Sequence, residues 1–387
     1  MSFIPLSVPN MGEQELEYVK DAVATGWVSS VGAYVNRFER DVASYAGVDE
    51  AVACQSGTAA LHLSMIALGV KSGDLVIVPT FTFIAAVNPV RFMGASPIFL
   101  DCDESLCMDP VELRAFCEDC CYVKDEALYH KGTNRRIPLV VVVHVFGNMA
   151  DMAEIMKIAE EFHLKILEDA SEAIGTKYTD GEWGAHMAGT IGDLGVYSFN
   201  GNKIITTGGG GVVVGRDPAM LKRIRYLSTQ AKDDELYFIH NEVGYNYRMT
   251  NVQAAIGVAQ LQRVEEFIQI KTENFRLYES LLKDIPGIYF IQMRRGVRSN
   301  YWMYGLVLMD KGLRDRLLKH LEAEKIQSRP AWGLISDQKP YVNDYTYNVD
   351  KARYYVERIL NIPCGTELTA EGVQRVSGCI RALVQSL

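Results

Sequence analysis

The sequence predicts an α/β fold in which a large domain built on a mostly parallel sheet precedes a smaller α+β domain. Three observations carry this. Apolar stretches of strand length alternate with amphipathic stretches of helix length from the start of the chain, the rhythm changes after about residue 283, and no tandem repeat or low-complexity linker intervenes. Candidate strands are Ala51–Ala53, Leu75–Val78, Ser96–Leu100, Leu139–Val145, Lys165–Leu167, Gly195–Phe199 and Val212–Gly215. Between them the 3.6-residue period predicts helices over Thr58–Leu68, Phe83–Met93, Pro110–Cys117 and Met152–Phe162, several opening after Ser, Thr or Asp. A longer helical pattern runs from Asn251 to Leu282. It is followed by a strand over Tyr301–Met309 and helices over Leu313–Glu324 and Asp350–Leu360. The expected organisation is therefore residues 1–250 as the large domain, 251–282 as a connecting helical region and 283–387 as the small domain.

Composition narrows the function classes. The 387 residues, 48% of them hydrophobic, suffice for a sizeable core. A net charge of −9 with no basic run offers no electrostatic footprint for nucleic acid or an anionic membrane, so an anionic ligand needs local donors. No charged-then-apolar leader opens the sequence, and the longest largely apolar run, Leu139–Val145, is too short to span a bilayer. A cytoplasmic protein is expected. The eight cysteines include no Cys/His set at zinc spacing, so reduced thiols and no metal site are expected.

Chemistry concentrates where strands end. In Val196-Tyr-Ser198-Phe-Asn-Gly-Asn-Lys203, followed by Gly208–Gly211, a lysine sits between a strand end and a glycine run. A primary amine held in a turn can attack a carbonyl and carry a proton, and glycines let backbone approach a flat ligand. The alternative is a surface lysine beside a mobile loop. The glycines precede a strand, unlike those of a P-loop or dinucleotide loop, and no G-x-x-x-x-G-K-[ST] is present. In Leu164-Lys-Ile-Leu-Glu-Asp169-Ala-Ser-Glu172 a strand ends in carboxylates. Asp169 can face a protonated ring nitrogen at the carboxyl edge of the sheet, or it and Glu168 simply cap a helix. Gly57 and Thr58, in Cys54-Gln-Ser-Gly-Thr, open a helix whose free amides favour a phosphate, though the same residues make an ordinary N-cap. Phe81 and Phe83 follow another strand end, placed to stack on a planar ring or to fill the core. The loop Gly244-Tyr-Asn246-Tyr-Arg248-Met-Thr offers donors to a phosphate, or caps the next helix through Thr250 or Asn251.

In order, SGTAAL, PTFTF, EDASEA, SFNGNK with its glycines and GYNYRM resemble the fold type I pyridoxal 5'-phosphate (PLP) enzymes, and more narrowly the nucleotide-sugar aminotransferases often called the DegT family. The resemblance covers nearly the whole chain. It implies Lys203 as the Schiff-base lysine, Asp169 as partner of the pyridine nitrogen, Phe83 over the ring, and Gly57, Thr58 and Ser198 as phosphate donors. Asn246 would reach that phosphate from the second subunit of a homodimer. Where the family commonly has His or Gln beside the cofactor hydroxyl, this chain has Glu172. A carboxylate there would repel a phenolate, so a protonated Glu172 is expected.

The opening Pro5–Gly12, the Thr25–Gly32 loop and Asn200–Thr207 look closest to enzymes acting on UDP-4-keto-6-deoxy-N-acetylglucosamine, which make precursors of bacillosamine and legionaminic-type sugars. By that similarity L-glutamate would donate an amino group to the C4 ketone of the UDP-sugar. Arg248 and Arg329 are candidate diphosphate cations, and Trp27 and Ser29 candidate sugar contacts. Amination at C3, a lyase of the same fold and a non-catalytic ligand sensor are the competing readings. Lys203 with Asp169, and the lack of a DNA-binding motif, speak against the sensor.

Overall fold

A computed structural model describes residues 2–385. Seven strands form most of one sheet: β1 (Glu50–Cys54), β2 (Leu75–Pro79), β3 (Ser96–Leu100), β4 (Leu139–Val143), β5 (Lys165–Asp169), β6 (Leu194–Ser198) and β7 (Gly211–Gly215). Their order is β1-β7-β6-β5-β4-β2-β3, and a two-residue strand, Tyr345–Thr346, extends the β3 edge. Val140–Val143 and Val212–Val214 are fully or almost fully buried, the run of β-branched residues expected of strands covered on both faces.

Pairing is parallel from β6 across to Tyr345–Thr346, while β7 runs antiparallel to both β1 and β6. The antiparallel strand follows from the glycine run: after the turn at Gly208 (φ 78°) the chain reverses direction at the carboxyl edge of the sheet. Gly211 then faces Cys54 on one side and Ser198 on the other. A Cβ on Gly211 would lie 2.6 Å from the Ser56 carbonyl, so only glycine lets the turn after β1 pass this close. The carboxyl ends of β1, β2, β4, β5 and β6 thus share one edge with the start of β7.

Several elements differ from their sequence expectation. The predicted helix over 251–282 is two helices, Asn251–Leu261 and Val264–Leu282, broken at Gln262–Arg263. The first is buried and packs against helices Glu13–Ala24 and Ala33–Ala46, and the second packs against Ala370–Gln385. One straight rod could not serve both surfaces. The stretch 83–93 shortens to a 3-10 turn, Ile84–Ala86, and a five-residue helix, Asn88–Phe92, because Pro89 has no N–H to continue an earlier helix and tolerates only a first turn. Of the strand expected over 301–309, only Tyr304–Val307 pairs. Residues 299–302 instead turn sharply, with Tyr301 at φ 52° and the Asn300 side chain accepting the Trp302 N–H.

Tyr304–Val307 belongs to a four-stranded antiparallel sheet with Tyr289–Phe290, Arg329–Pro330 and Ile359–Ile362. Backbone links between the surroundings of the two sheets include Tyr345–Thr346 pairing with β3 and Val297–Arg298 pairing with Lys177–Tyr178. All eight cysteines are free, Cys117 and Cys120 at Cys-x-x-Cys spacing among them. Among the described residues no group of three His, Cys, Asp or Glu side chains is placed to hold a metal ion, and no helix is long and apolar enough to cross a membrane.

Candidate active site

A cavity of about 330 Å³ opens at the shared edge of the sheet, where ligands of open α/β sheets bind. Each strand end contributes. Ser56, Gly57 and Thr58 follow β1, Thr82 and Phe83 follow β2, Asp169 ends β5 with Ser171 and Glu172 after it, and Ser198 ends β6 with Asn200, Asn202 and Lys203 after it. Trp302 and Trp332 close it from the second sheet's side.

The helix after β1 starts at Gly57, with the Ser56 hydroxyl accepting the Ala59 N–H at 3.1 Å. The amides of Gly57 and Thr58 stand in its first turn, where no intrahelical carbonyl reaches them, at the positive end of the helix dipole. A Cβ on Gly57 would meet Ser198 Cβ at 3.0 Å, so this glycine lets the helix terminus and the Ser198 hydroxyl line one small cradle. Backbone donors, two hydroxyls and a helix N-terminus are the donor set that suits a phosphate monoester.

Opposite lies the acid–amine cluster. Asp169 is buried at the end of β5, its Oδ1 accepting the Ser171 N–H at 3.0 Å. Burial raises its pKa against the opposing pull of Ser171, Lys203 and His144. Glu172 Oε2 accepts the Phe146 N–H at 2.9 Å, and its Oε1 lies 3.5 Å from Lys203 Nζ. Burial pushes Glu172 up to about 7, although Lys203 and the Phe146 amide pull the other way. The lysine side chain is 12% exposed, and its ammonium sits 4.2 Å from the centroid of the Trp302 ring. Phe83 is 51% exposed, tilted against Trp332 with centroids 6.1 Å apart, and presents an open aromatic face at the cavity. These residues fit PLP in chemistry: an amine, a buried carboxylate, a flat aromatic wall and a phosphate cradle.

Glu168, read in the sequence as a possible cap, has a different task. It is fully buried and accepts N–H groups from Gly189, Ile191 and Gly192 at 2.9, 2.7 and 2.6 Å, and His144 Nε2 lies 2.8 Å away. His144 Nδ1 accepts the Ala150 N–H at 3.1 Å, so the ring proton sits on Nε2 and points at Glu168. Burial alone would raise the Glu168 pKa, yet His144 and the backbone donors bring it below the usual value.

The structure does not gather every expected residue. Arg248 is corrected: it is buried behind β1, ion-paired with Glu39 and donating to the Ala53 carbonyl at 3.2 Å, so it is no free diphosphate cation. Trp27 and Ser29 are exposed outside the cavity lining, their carbonyls accepting from the Asn251 side chain and backbone N–H, both at 2.6 Å. Asn246 is exposed and outside the lining as well. Arg329 also lies outside the lining, exposed, with the Ser328 carbonyl 3.4 Å from its guanidinium. Trp302, Asn200 and Asn202 line the cavity and were not singled out from the sequence.

The Glu172 carboxyl gives a pH-dependent expectation. Its folded value lies above the ordinary 4.5, so protonated Glu172 contributes stability that is full below about pH 4.5 and lost as pH rises through about 7. In cofactor-free protein, the melting temperature of the wild type relative to Glu172→Gln is expected to fall between pH 4.5 and 7 and level off above. A flat difference across that window would remove the buried titration.

A model of the DegT/DnrJ/EryC1/StrS aminotransferase family matches residues 9–381. The chain is 37% identical over 388 residues to the GDP-perosamine synthase of Caulobacter vibrioides, covering 99% of this chain and 98% of that protein. It is 35% identical over 345 residues to the GDP-perosamine synthase of Escherichia coli O157:H7, covering 89% of each. The crystal structure of the aminotransferase TlmJ from Streptoalloteichus hindustanus matches with a TM-score of 0.89 at 27% identity, covering 100% of both chains.

Proposed function

Since the chain belongs to the DegT/DnrJ/EryC1/StrS aminotransferase family, a PLP-dependent family of sugar aminotransferases, we propose that it moves the amino group of L-glutamate onto the keto carbon of a nucleotide-linked 4-keto-6-deoxy sugar. The carrying observation is the convergence of Lys203, Asp169 and Glu172 on one cavity beside a helix N-terminus. The likeness to two GDP-perosamine synthases favours a GDP-linked acceptor. The Pro5–Gly12, Thr25–Gly32 and Asn200–Thr207 segments favour UDP-4-keto-6-deoxy-N-acetylhexosamine, the second reading, with the product feeding surface glycan synthesis.

PLP, when bound, supplies an aldehyde that takes up an amino group and a ring that withdraws the electrons left when a proton leaves carbon. The chain's residues set the stage for it. The Gly57 and Thr58 amides with the Thr58 and Ser198 hydroxyls would hold the phosphate, Phe83 the ring face, and the Asp169 carboxylate the ring nitrogen. Lys203 is the amine at hand for covalent attachment, and afterwards the base that moves a proton between carbons from one face. Facial delivery from a fixed amine makes the product a single stereoisomer.

The lining offers Lys203 as its sole cation among the described residues, whereas glutamate and a sugar diphosphate need several. Arg329 and a second copy of the chain are the proposed sources, Asn246 of that copy completing the phosphate cradle. Supporting a homodimer, the hairpin formed by Lys232–Asp234 and Ile239–His240 exposes Leu236, Tyr237 and Phe238 together, an apolar cluster that suits an interface.

The test is an absorbance spectrum of cofactor-loaded protein, titrated with glutamate and then with GDP- and UDP-linked 4-keto sugars. Glutamate is expected to bleach the visible band with release of 2-oxoglutarate, and one sugar to restore it. No bleaching, or bleaching without 2-oxoglutarate, would turn the assignment to a lyase.

A further inference from the structure

Over such a reaction the Lys203 amine must part from the cofactor in the first half and return to it in the second, and the structure shows what surrounds it when it is free. Nζ lies between a carboxylate oxygen, Glu172 Oε1 at 3.5 Å, and the face of Trp302 at 4.2 Å. Neither neighbour is placed by chance. Trp302 Nε1–H donates to the Asn202 carbonyl at 2.8 Å, tying the indole to the residue just before the lysine. Asn300, fully buried, donates to the carbonyls of Glu172 and Ile174 at 2.9 Å and accepts the Trp302 N–H at 2.9 Å. One side chain therefore fixes carboxylate and indole relative to each other.

We propose that Trp302 and Glu172 form a berth that holds the released Lys203 amine as an ammonium ion between its two bonded states, with Glu172 as its immediate proton partner. This deepens the reading given above and rests on it. A ring face and a carboxylate both favour the charged amine. While detached and idle, Nζ rests as ammonium against ionised Glu172. Before it acts as base or bonds again, one proton passes to Glu172 Oε1, leaving a neutral amine with its lone pair free and a protonated carboxyl, with no net change of charge. Asp169 also faces the amine across the cavity, while Lys271, which lines the narrow gap shared with Lys203 and Trp302, turns its ammonium to the Cys364 carbonyl.

The test reads the amine directly in cofactor-free protein. Pulses of acetic anhydride from pH 6 to 11, followed by peptide mass spectrometry, give the pH of half-labelling of Lys203, with exposed Lys20 as internal reference. Trp302→Leu is expected to move the Lys203 midpoint down by about 0.5 to 1.5 pH units. Trp302→Phe, which keeps an aromatic face, should stay near the wild type, and Glu172→Gln should also move it down. Superimposed midpoints for Leu and wild type, or equal shifts for Phe and Leu, would overturn the berth. Should the Leu variant fail to fold, a Gln midpoint unchanged from wild type overturns it alone. Borohydride reduction of the PLP-loaded wild type separates the two levels: no phosphopyridoxyl tag on Lys203 sinks the cofactor assignment, whereas a tag with unshifted midpoints sinks only the berth.

Discussion

Lys203→Ala is expected to reduce turnover by about 10⁴-fold while leaving the fold intact. The amine is asked to supply two effects at once, covalent attachment and proton transfer, and proton transfer by a positioned group alone contributes up to about 10⁴-fold. Its side chain is not a structural anchor. Its contacts are one carboxylate and one ring face, so the melting temperature should change little. The check is a single-turnover measurement of 2-oxoglutarate from glutamate, together with addition of a small primary amine. Partial rescue by the added amine is expected, and turnover within tenfold of wild type would remove Lys203 from the chemistry.

Glu168→Ala is expected to carry the largest cost in stability, about 3–5 kcal/mol, because several buried N–H donors lose their one acceptor together. The truncation leaves the N–H groups of Gly189, Ile191 and Gly192 and the Nε2–H of His144 facing an empty, dry space, where each orphaned donor costs about 1–3 kcal/mol. Urea unfolding with an unchanged slope and a much lower midpoint is the expected record. A midpoint equal to that of the wild type would show the network to be dispensable. Because Glu168 precedes Asp169 on β5, any variant that folds should also bind the cofactor more weakly.

The parts of the site legible in sequence share one property: they sit at strand ends or on the turns that follow, where local chemistry and topology coincide. Gly57, Thr58, Phe83, Asp169, Glu172, Ser198 and Lys203 all line the cavity for that reason. Trp302 was hidden because the turn that presents it is set by Asn300 reaching back to the chain after Asp169, a contact without local signature. Arg248 was misread for the converse reason. An arginine in a polar aromatic loop looks available until Glu39 and the Ala53 carbonyl are seen to claim it. The reversed direction of β7 was hidden likewise, since a buried run of valines reads the same whichever way its neighbours run. The break at Gln262–Arg263 carries no Gly or Pro and answers only to the surfaces on either side.

The strand that runs against its neighbours has a consequence for how the protein comes into being. Gly211 must slot between Cys54 and Ser198 before the lysine loop has a floor, so the first strand of the sheet emerges during synthesis with one long-range partner still unmade. Pairings so distant along the chain form slowly, and Trp302 arrives later still. A nascent chain that has not yet reached Trp302 and Trp332 therefore lacks part of the pocket wall.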